Sequence, residues 1–247
     1  MHITTDALVI KEKNYGESNR LITLLTRKGG VIRAFAAGAR NIKSKKGAAT
    51  GMLSYSNFTL QRKGDTYTVT EAEPIRIFFG AGRDIGCLSL SQYFCELCDV
   101  LAPADTDSEE ILRLVLNSLH FLTEQKRPPS LIKAITELRL ASISGYAPNL
   151  VACDGCGMFE DKIMYMRLDT GTIYCENCRT GDYFIPLDIT VLKSMRHIVF
   201  SPLENLYGFD IPPEAADRLS DITERYLSLQ TDHRFATLDF YNSLTSM

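Results

Sequence analysis

No stretch of this 247-residue chain approaches the run of about 18 or more apolar residues that a membrane-spanning helix needs. Its first residues, Met1-His2-Ile3-Thr4-Thr5-Asp6, lack the basic and apolar regions of a secretory signal. Seven cysteines, an odd number, cannot all pair, so a disulfide framework is not expected. The chain reads as a soluble, cytoplasmic protein with reduced thiols. Recognisable catalytic arrangements are also missing. The four histidines, His2, His120, His197 and His233, are scattered and sit in no nucleophile or metalloenzyme motif. There is no phosphate-cradling G-x-x-x-x-G-K-[ST] loop, and Gly80-Ala81-Gly82 lacks the third glycine and strand context of a dinucleotide fingerprint. No enzyme activity and no nucleotide cofactor are therefore expected. Glu109, Glu110 and Glu137 read as acids at helix ends or on solvated faces.

Acidic residues are absent altogether from positions 18 to 64. That stretch carries ten cations, Arg20, Arg27, Lys28, Arg33, Arg40, Lys43, Lys45, Lys46, Arg62 and Lys63, whereas the whole chain has a net charge of −3. A solvated face normally mixes signs, so a run of one sign reads as a surface for a polyanion. All ten cations are candidate DNA-binding residues, since such side chains neutralise phosphates and release counterions. Phe35, Tyr55, Phe58 and Tyr67 lie in the same region and are candidate stacking faces for unpaired bases. About half of them are expected in the core, because strands alternate between faces.

The pattern along the chain divides it at about residue 80. Strands are expected over 6–13, 20–26, 31–37, 53–62 and 66–72, with Lys28-Gly29-Gly30 a hairpin signal and 38–51 a long, small, basic and flexible loop. Five strands with one long loop after the third fit a closed barrel. An OB-fold leads, with an SH3-like barrel as the competitor. Helical spacing takes over at 88–101, from Asp107 onward, from Pro128 to about 143, over 187–200 and 213–230, and near Phe235. The expected architecture is α+β and multidomain: a five-stranded barrel in 1–80, and a helical domain in 81–247 with a cysteine element inserted at 151–181.

That element holds Cys153-Asp-Gly-Cys156 and Cys175-Glu-Asn-Cys178, separated by 18 residues. Two C-x₂-C pairs so spaced are the pattern of a four-thiolate zinc site. Gly155 and Gly157 supply the tight backbone a knuckle needs. Four thiolates leave no open coordination position, so one structural Zn²⁺ is expected; free buried cysteines are the plainer alternative. The element carries a net −2, which suits a stabilising role better than phosphate contact. Cys95-Glu-Leu-Cys98 lies inside a helical pattern rather than after a strand, so it reads as buried structural thiols, as does Cys87, and not as a redox pair.

The runs Asp6-Ala-Leu-Val-Ile-Lys11 and Tyr15-Gly-Glu-Ser-Asn-Arg20-Leu-Ile-Thr-Leu-Leu-Thr26 resemble the opening of the bacterial recombination mediator family RecO. Gly38-Ala-Arg-Asn-Ile-Lys-Ser44 is similar to that family's basic loop, and Gly145-Tyr146-Ala-Pro148 leads into its cysteine knuckle. The resemblance implies an N-terminal OB-fold, a helical C-terminal domain, and zinc on Cys153, Cys156, Cys175 and Cys178. It implies a non-enzymatic mediator of recombinational DNA repair, cytoplasmic and associated with the nucleoid. Such a protein binds single- and double-stranded DNA, anneals complementary strands, and engages the single-strand binding protein and RecR in helping to load the RecA recombinase. An RNA-binding OB-fold and zinc interaction module remains the alternative.

Overall fold

In the computed structural model, the described residues are 2–64, 66–78, 84–104 and 106–245. Asp65 of the expected turn and the Gly80-Ala81-Gly82 stretch lie outside them, as does the side chain of Lys63.

Five strands, β1 (His2–Tyr15), β2 (Asn19–Thr26), β3 (Gly30–Ala36), β4 (Ser54–Lys63) and β5 (Thr66–Ile77), close into a barrel in the order β1-β2-β3-β5-β4. All pairings are antiparallel except β3 with β5, where Ala34 faces Tyr67 and Phe35 faces Thr68. This Greek-key closure is the OB-fold and decides between the two barrels compatible with the strand count. Closure is possible because β1 is 14 residues long and bends at a register shift between Val9 and Lys11. Its first half pairs with β4 and its second with β2.

Alternation assigns the faces. Ala7, Val9, Ile22, Leu24, Ala34, Phe58, Leu60 and Val69 fill the barrel. Leu8, Ile10 and Leu25 point the other way, yet each is 0 % exposed. Helices α1 (Ile85–Leu101) and α2 (Glu109–Thr123) pack on β1, and α2 also on β2, which is why β1 is apolar on both sides over residues 7–10. Gly30 anchors the return of the chain. It takes a positive φ of 61°, and a Cβ there would lie 2.0 Å from the Pro103 carbonyl oxygen. No other residue fits.

By its contacts the chain forms two compact units, 1–124 with 235–247, and Gln125–Arg234. Strand gives way to helix near residue 80, but α1, α2 and the last helix α6 (Ala236–Thr245) belong to the barrel's unit, where α1 packs on α6. The second unit holds α3 (Pro129–Ile143), α4 (Ile189–Phe200) and α5 (Pro213–Thr231). Proline at the first helical position starts both α3 and α5, and the Asp188 carboxylate caps α4 by accepting from Thr190 and Val191 N–H. A three-stranded sheet, β6 (Ile163–Arg167), β7 (Thr172–Tyr174) and β8 (Phe184–Asp188), orders β7-β6-β8 around the cysteine element. It was not expected, since strands of three to five residues are too short for periodicity to register.

Candidate nucleic-acid interface and cysteine cluster

The nine candidate cations whose side chains are described, all but Lys63, separate into those that hold the barrel together and those that are available. Arg27 lies against Asp6 at 2.6 Å and Glu109 at 2.7 Å. The hydrogen bond from Arg27, and then that from Tyr55, hold the Asp6 carboxyl below the usual carboxylate range against the opposing effect of burial. Arg20 donates to the Gly47 carbonyl at 2.8 Å and to Thr50 Oγ1 at 3.3 Å. Lys46 Nζ donates to the Val69 carbonyl at 3.0 Å, and Arg40 to that of Gly16 at 3.0 Å. Arg62 donates to the Gly64 carbonyl and lies over the Tyr67 ring at 5.7 Å. Lys28, Arg33, Lys43 and Lys45 are exposed, with no hydrogen bond or ion pair among the described residues.

The basic loop after β3 is not the flexible segment its composition suggests. Ala39, Ala49 and Thr50 are buried beneath the barrel. Successive turns, Asn41 N–H to the Gly38 carbonyl, Ser44 to Asn41 and Gly47 to Ser44, wind it at three residues per step. Its start is tied to the β1–β2 turn, where Arg40 N–H donates to the Ser18 carbonyl at 2.9 Å and Gly38 N–H to Asn19 Oδ1 at 2.9 Å.

The outer face of β1, β2 and β3 leads from that turn across the barrel. In register, Lys13 faces Leu21 and Lys11 faces Thr23, while Leu21 faces Phe35 and Thr23 faces Arg33. Tyr15, 57 % exposed, stands edge-on to Phe35 with ring centroids 5.8 Å apart. A cleft of about 390 Å³ lies over Lys11, Lys13, Leu21, Thr23 and Arg33. A second of about 510 Å³, over Val31, Arg33, Arg62 and Tyr67, adjoins it through the shared Arg33 and Asp99. Two acids line the groove: Asp99, which pairs with Lys11 at 2.6 Å, and Glu12, which accepts from Met52 N–H and lies 3.7 Å from Arg20. Of the expected stacking rings, Phe58 is core and Tyr55 is bonded to Asp6. Tyr67 packs on the core, and Phe35 remains at the surface beside Tyr15. Sequence reasoning missed Lys11, Lys13 and Tyr15. Strand parity from Leu21 and Arg33 would have placed them on the same face, but the bulge at Ile10 interrupts the alternation.

The four cysteines converge as their spacing requires. The Sγ atoms of Cys153, Cys156, Cys175 and Cys178 all lie within 4.8 Å of one another. A tetrahedral thiolate site with arms of ~2.3 Å has edges of roughly 3.8 Å, and the Cys156–Cys175 Sγ separation is 3.7 Å. The first knuckle is closed by Gly157 N–H donating to the Cys153 carbonyl and the second by Cys178 N–H donating to that of Cys175. Gly155 permits their approach, because a Cβ there would lie 2.8 Å from the Cys178 Cβ. Burial alone would raise the Cys153 thiol, but N–H donors from Cys175, Cys156 and Gly155 bring it down to about 6. This donor set can hold a metal ion. Arg196 supports it from α4, donating to the Leu150 carbonyl at 2.8 Å and that of Val151 at 3.1 Å, over the Phe159 ring. Nothing in the local sequence singled this arginine out.

The remaining thiols are held in their protonated form. Burial pushes Cys95 up to about 12 and Cys98 well above its ordinary value, and burial followed by the Asp84 hydrogen bond takes Cys87 to about 11. Glu137 corrects an expectation. It is 0 % exposed rather than solvated, paired with Lys133 at 2.9 Å and accepting from Thr223 Oγ1 at 2.6 Å. Lys133 also pairs with Glu224 at 2.8 Å and donates to Ser220 Oγ at 3.2 Å, so its ammonium is satisfied in the α3–α5 interface. Elsewhere in this unit, a cleft of about 360 Å³ is lined by Tyr183, Phe184, Ile185 and Leu229, by Arg225, and by Arg167, which pairs with the lining Asp169 at 2.7 Å. No helix among the described residues is long and apolar enough to cross a membrane.

Comparison with known proteins converges on the same architecture. The family model described as "Recombination protein O N terminal" matches residues 1–78, and that described as "Recombination protein O C terminal" matches residues 82–239. A protein of Acetivibrio thermocellus named "DNA repair protein RecO" is 31% identical over 244 residues, covering 98% of this chain and 97% of its own. Proteins of the same name from Alkaliphilus metalliredigens and Bacillus pumilus are each 27% identical, over 94% and 100% of this chain and 95% and 96% of their own. With an OB-fold barrel, a helical remainder carrying a four-cysteine cluster, and family matches over nearly its whole length, this chain belongs to the RecO family of DNA repair proteins.

Proposed function

We propose that the chain is a non-enzymatic mediator of recombinational repair that binds single- and double-stranded DNA, anneals complementary strands, and helps load the RecA recombinase. The single observation carrying this reading is the continuous outer groove of the barrel. It is lined by the available cations Lys13 and Arg33, has the surface rings Tyr15 and Phe35 on the same face, and adjoins the loop bearing Lys43 and Lys45. Cations track the phosphates and rings stack on bases without reading their sequence. Such interactions weaken with salt and release readily, as a strand-exchanging mediator requires.

Of the ten candidate residues, Lys28, Arg33, Lys43 and Lys45 carry the DNA contacts, with Arg40 and Arg62 at the margins. Arg20, Arg27 and Lys46 act by shaping the barrel. The four cysteines hold one structural Zn²⁺, which when bound ties the two knuckles together; Arg196 and Gly155 orient them. The single-strand binding protein and RecR are the protein partners. The cleft with Arg225 beside Tyr183, Phe184 and Leu229 suits a peptide segment bearing acidic and apolar side chains, and we assign it to the single-strand binding protein. The test is ATP-independent annealing of complementary strands coated with single-strand binding protein. Acceleration that is lost in Arg33→Glu supports the reading. No acceleration over a protein-free control, or tighter binding to RNA than to DNA of matched sequence, would overturn it.

A further inference from the structure

Ile42 is 104 % exposed, beyond every other large apolar side chain among the described residues. A single apolar side chain at a surface ordinarily calls for no explanation. The surroundings of this one do. Arg40, Lys43 and Lys45, all exposed, flank it, and no acid occurs between positions 18 and 64. Ile42 lies within the turn that Ser44 N–H closes on the Asn41 carbonyl, between Arg40 on one side and Lys43 and Lys45 on the other. The loop is also held from both ends. Arg40 N–H is bonded to Ser18, Arg20 reaches Gly47, and Lys46 reaches Val69. The apolar tip is therefore presented on a braced support rather than on a tether.

An isoleucine ringed by cations is poorly matched to an apolar protein surface, which would bury the charges with the methyl groups. Nucleic acid offers both complements, phosphates outside and the apolar faces of stacked bases within. We propose that Ile42 is a wedge that enters a base step and unstacks it while Arg40, Lys43 and Lys45 hold the adjoining phosphates. Inserted aliphatic side chains kink and open duplexes in this way. The inference rests on the nucleic-acid reading above and adds to it a deformation of the bound strand. Its consequence is that DNA bound by this loop is held partly unstacked, in the state from which pairing partners exchange.

The experiment uses the full chain and duplex and single-stranded oligonucleotides carrying 2-aminopurine at a central position, whose fluorescence rises on unstacking. The protein has no tryptophan to interfere. At saturation the native chain should raise the signal about twofold or more. Ile42→Ser should bind with an unaltered salt slope yet lose most of that rise, and Ile42→Phe should keep it. The double replacement Lys43→Ala and Lys45→Ala should weaken binding but, once saturated, retain the rise. A full rise with Ile42→Ser, or no rise with the saturated native chain, overturns the wedge while leaving DNA binding intact. No binding at low salt would overturn the nucleic-acid reading as well.

Discussion

Lys43, Lys45 and Lys46 adjoin in sequence, yet only two of them are expected to meet phosphate. Lys46 Nζ is committed to the Val69 carbonyl at 3.0 Å, whereas Lys43 and Lys45 are exposed without partners among the described residues. Removing one phosphate-neutralising cation should reduce the slope of log affinity against log salt by about 0.7 on a single strand and 0.9 on a duplex. Replacing Lys43 and Lys45 together by alanine should therefore lower the slope by roughly 1.4 and 1.8 respectively, with unchanged thermal stability. Lys46→Ala should leave the slope alone. It would instead cost on the order of 1 kcal/mol, because it removes a hydrogen bond that braces the loop on the barrel. Fluorescence anisotropy of labelled oligonucleotides across a salt series, with thermal melts of each variant, separates the two effects. The reasoning fails if Lys46→Ala lowers the slope as much as either neighbour, or if the double variant leaves it unchanged.

Metal analysis should find about one zinc per chain, and Cys175→Ser should abolish it and lower stability far more than DNA affinity; collapse of affinity in a still-folded variant would show that the cluster contacts DNA. Asp6→Asn should destabilise the barrel by roughly 2 kcal/mol through loss of the pairing with Arg27 and Tyr55. Because the Asp6 carboxyl is held below its ordinary value of 3.8, its contribution is present above that pH and lost as pH falls through the depressed value; acid titration of native and variant protein, read by circular dichroism, should show the gap close there. Glu137→Ala should cost about 3–5 kcal/mol by stranding the buried Lys133 ammonium, and Glu137→Leu with Lys133→Met much less, a contrast that urea unfolding measures. In zinc-loaded protein, thiol reagents should modify Cys87, Cys95 and Cys98 only slowly, since all three thiols are raised by burial; rapid labelling of Cys95 or Cys98 would contradict the packing of α1.

Much of this protein is legible in one dimension because its signals are local. Alternation in Thr66–Ile77, proline before α3 and α5, and the two C-x₂-C knuckles each report on a few neighbouring residues, and the elements and the metal-competent cluster appear where those signals lie. The absence of acids from 18 to 64 likewise identifies the basic module. Which cations are available is another matter. Arg20 matches Arg33 in charge and strand setting, and Arg27 in charge, yet their partners, Gly47, Asp6 and Glu109, arrive through closure of the barrel and packing of α2. Burial of Glu137 depends on α5, 86 residues away along the chain from Glu137 to Thr223. The groove needs the parallel pairing of β3 with β5, and Tyr15 joins it only because a bulge turns the end of β1. Residue types and spacings alone determined the barrel strands, the helices, the thiolate cluster and the sign of the surface, but not the short strands β6, β7 and β8. Only the tertiary structure decided which of those charges face solvent, because a cation's availability depends on the acids and carbonyls that folding brings to it from distant segments.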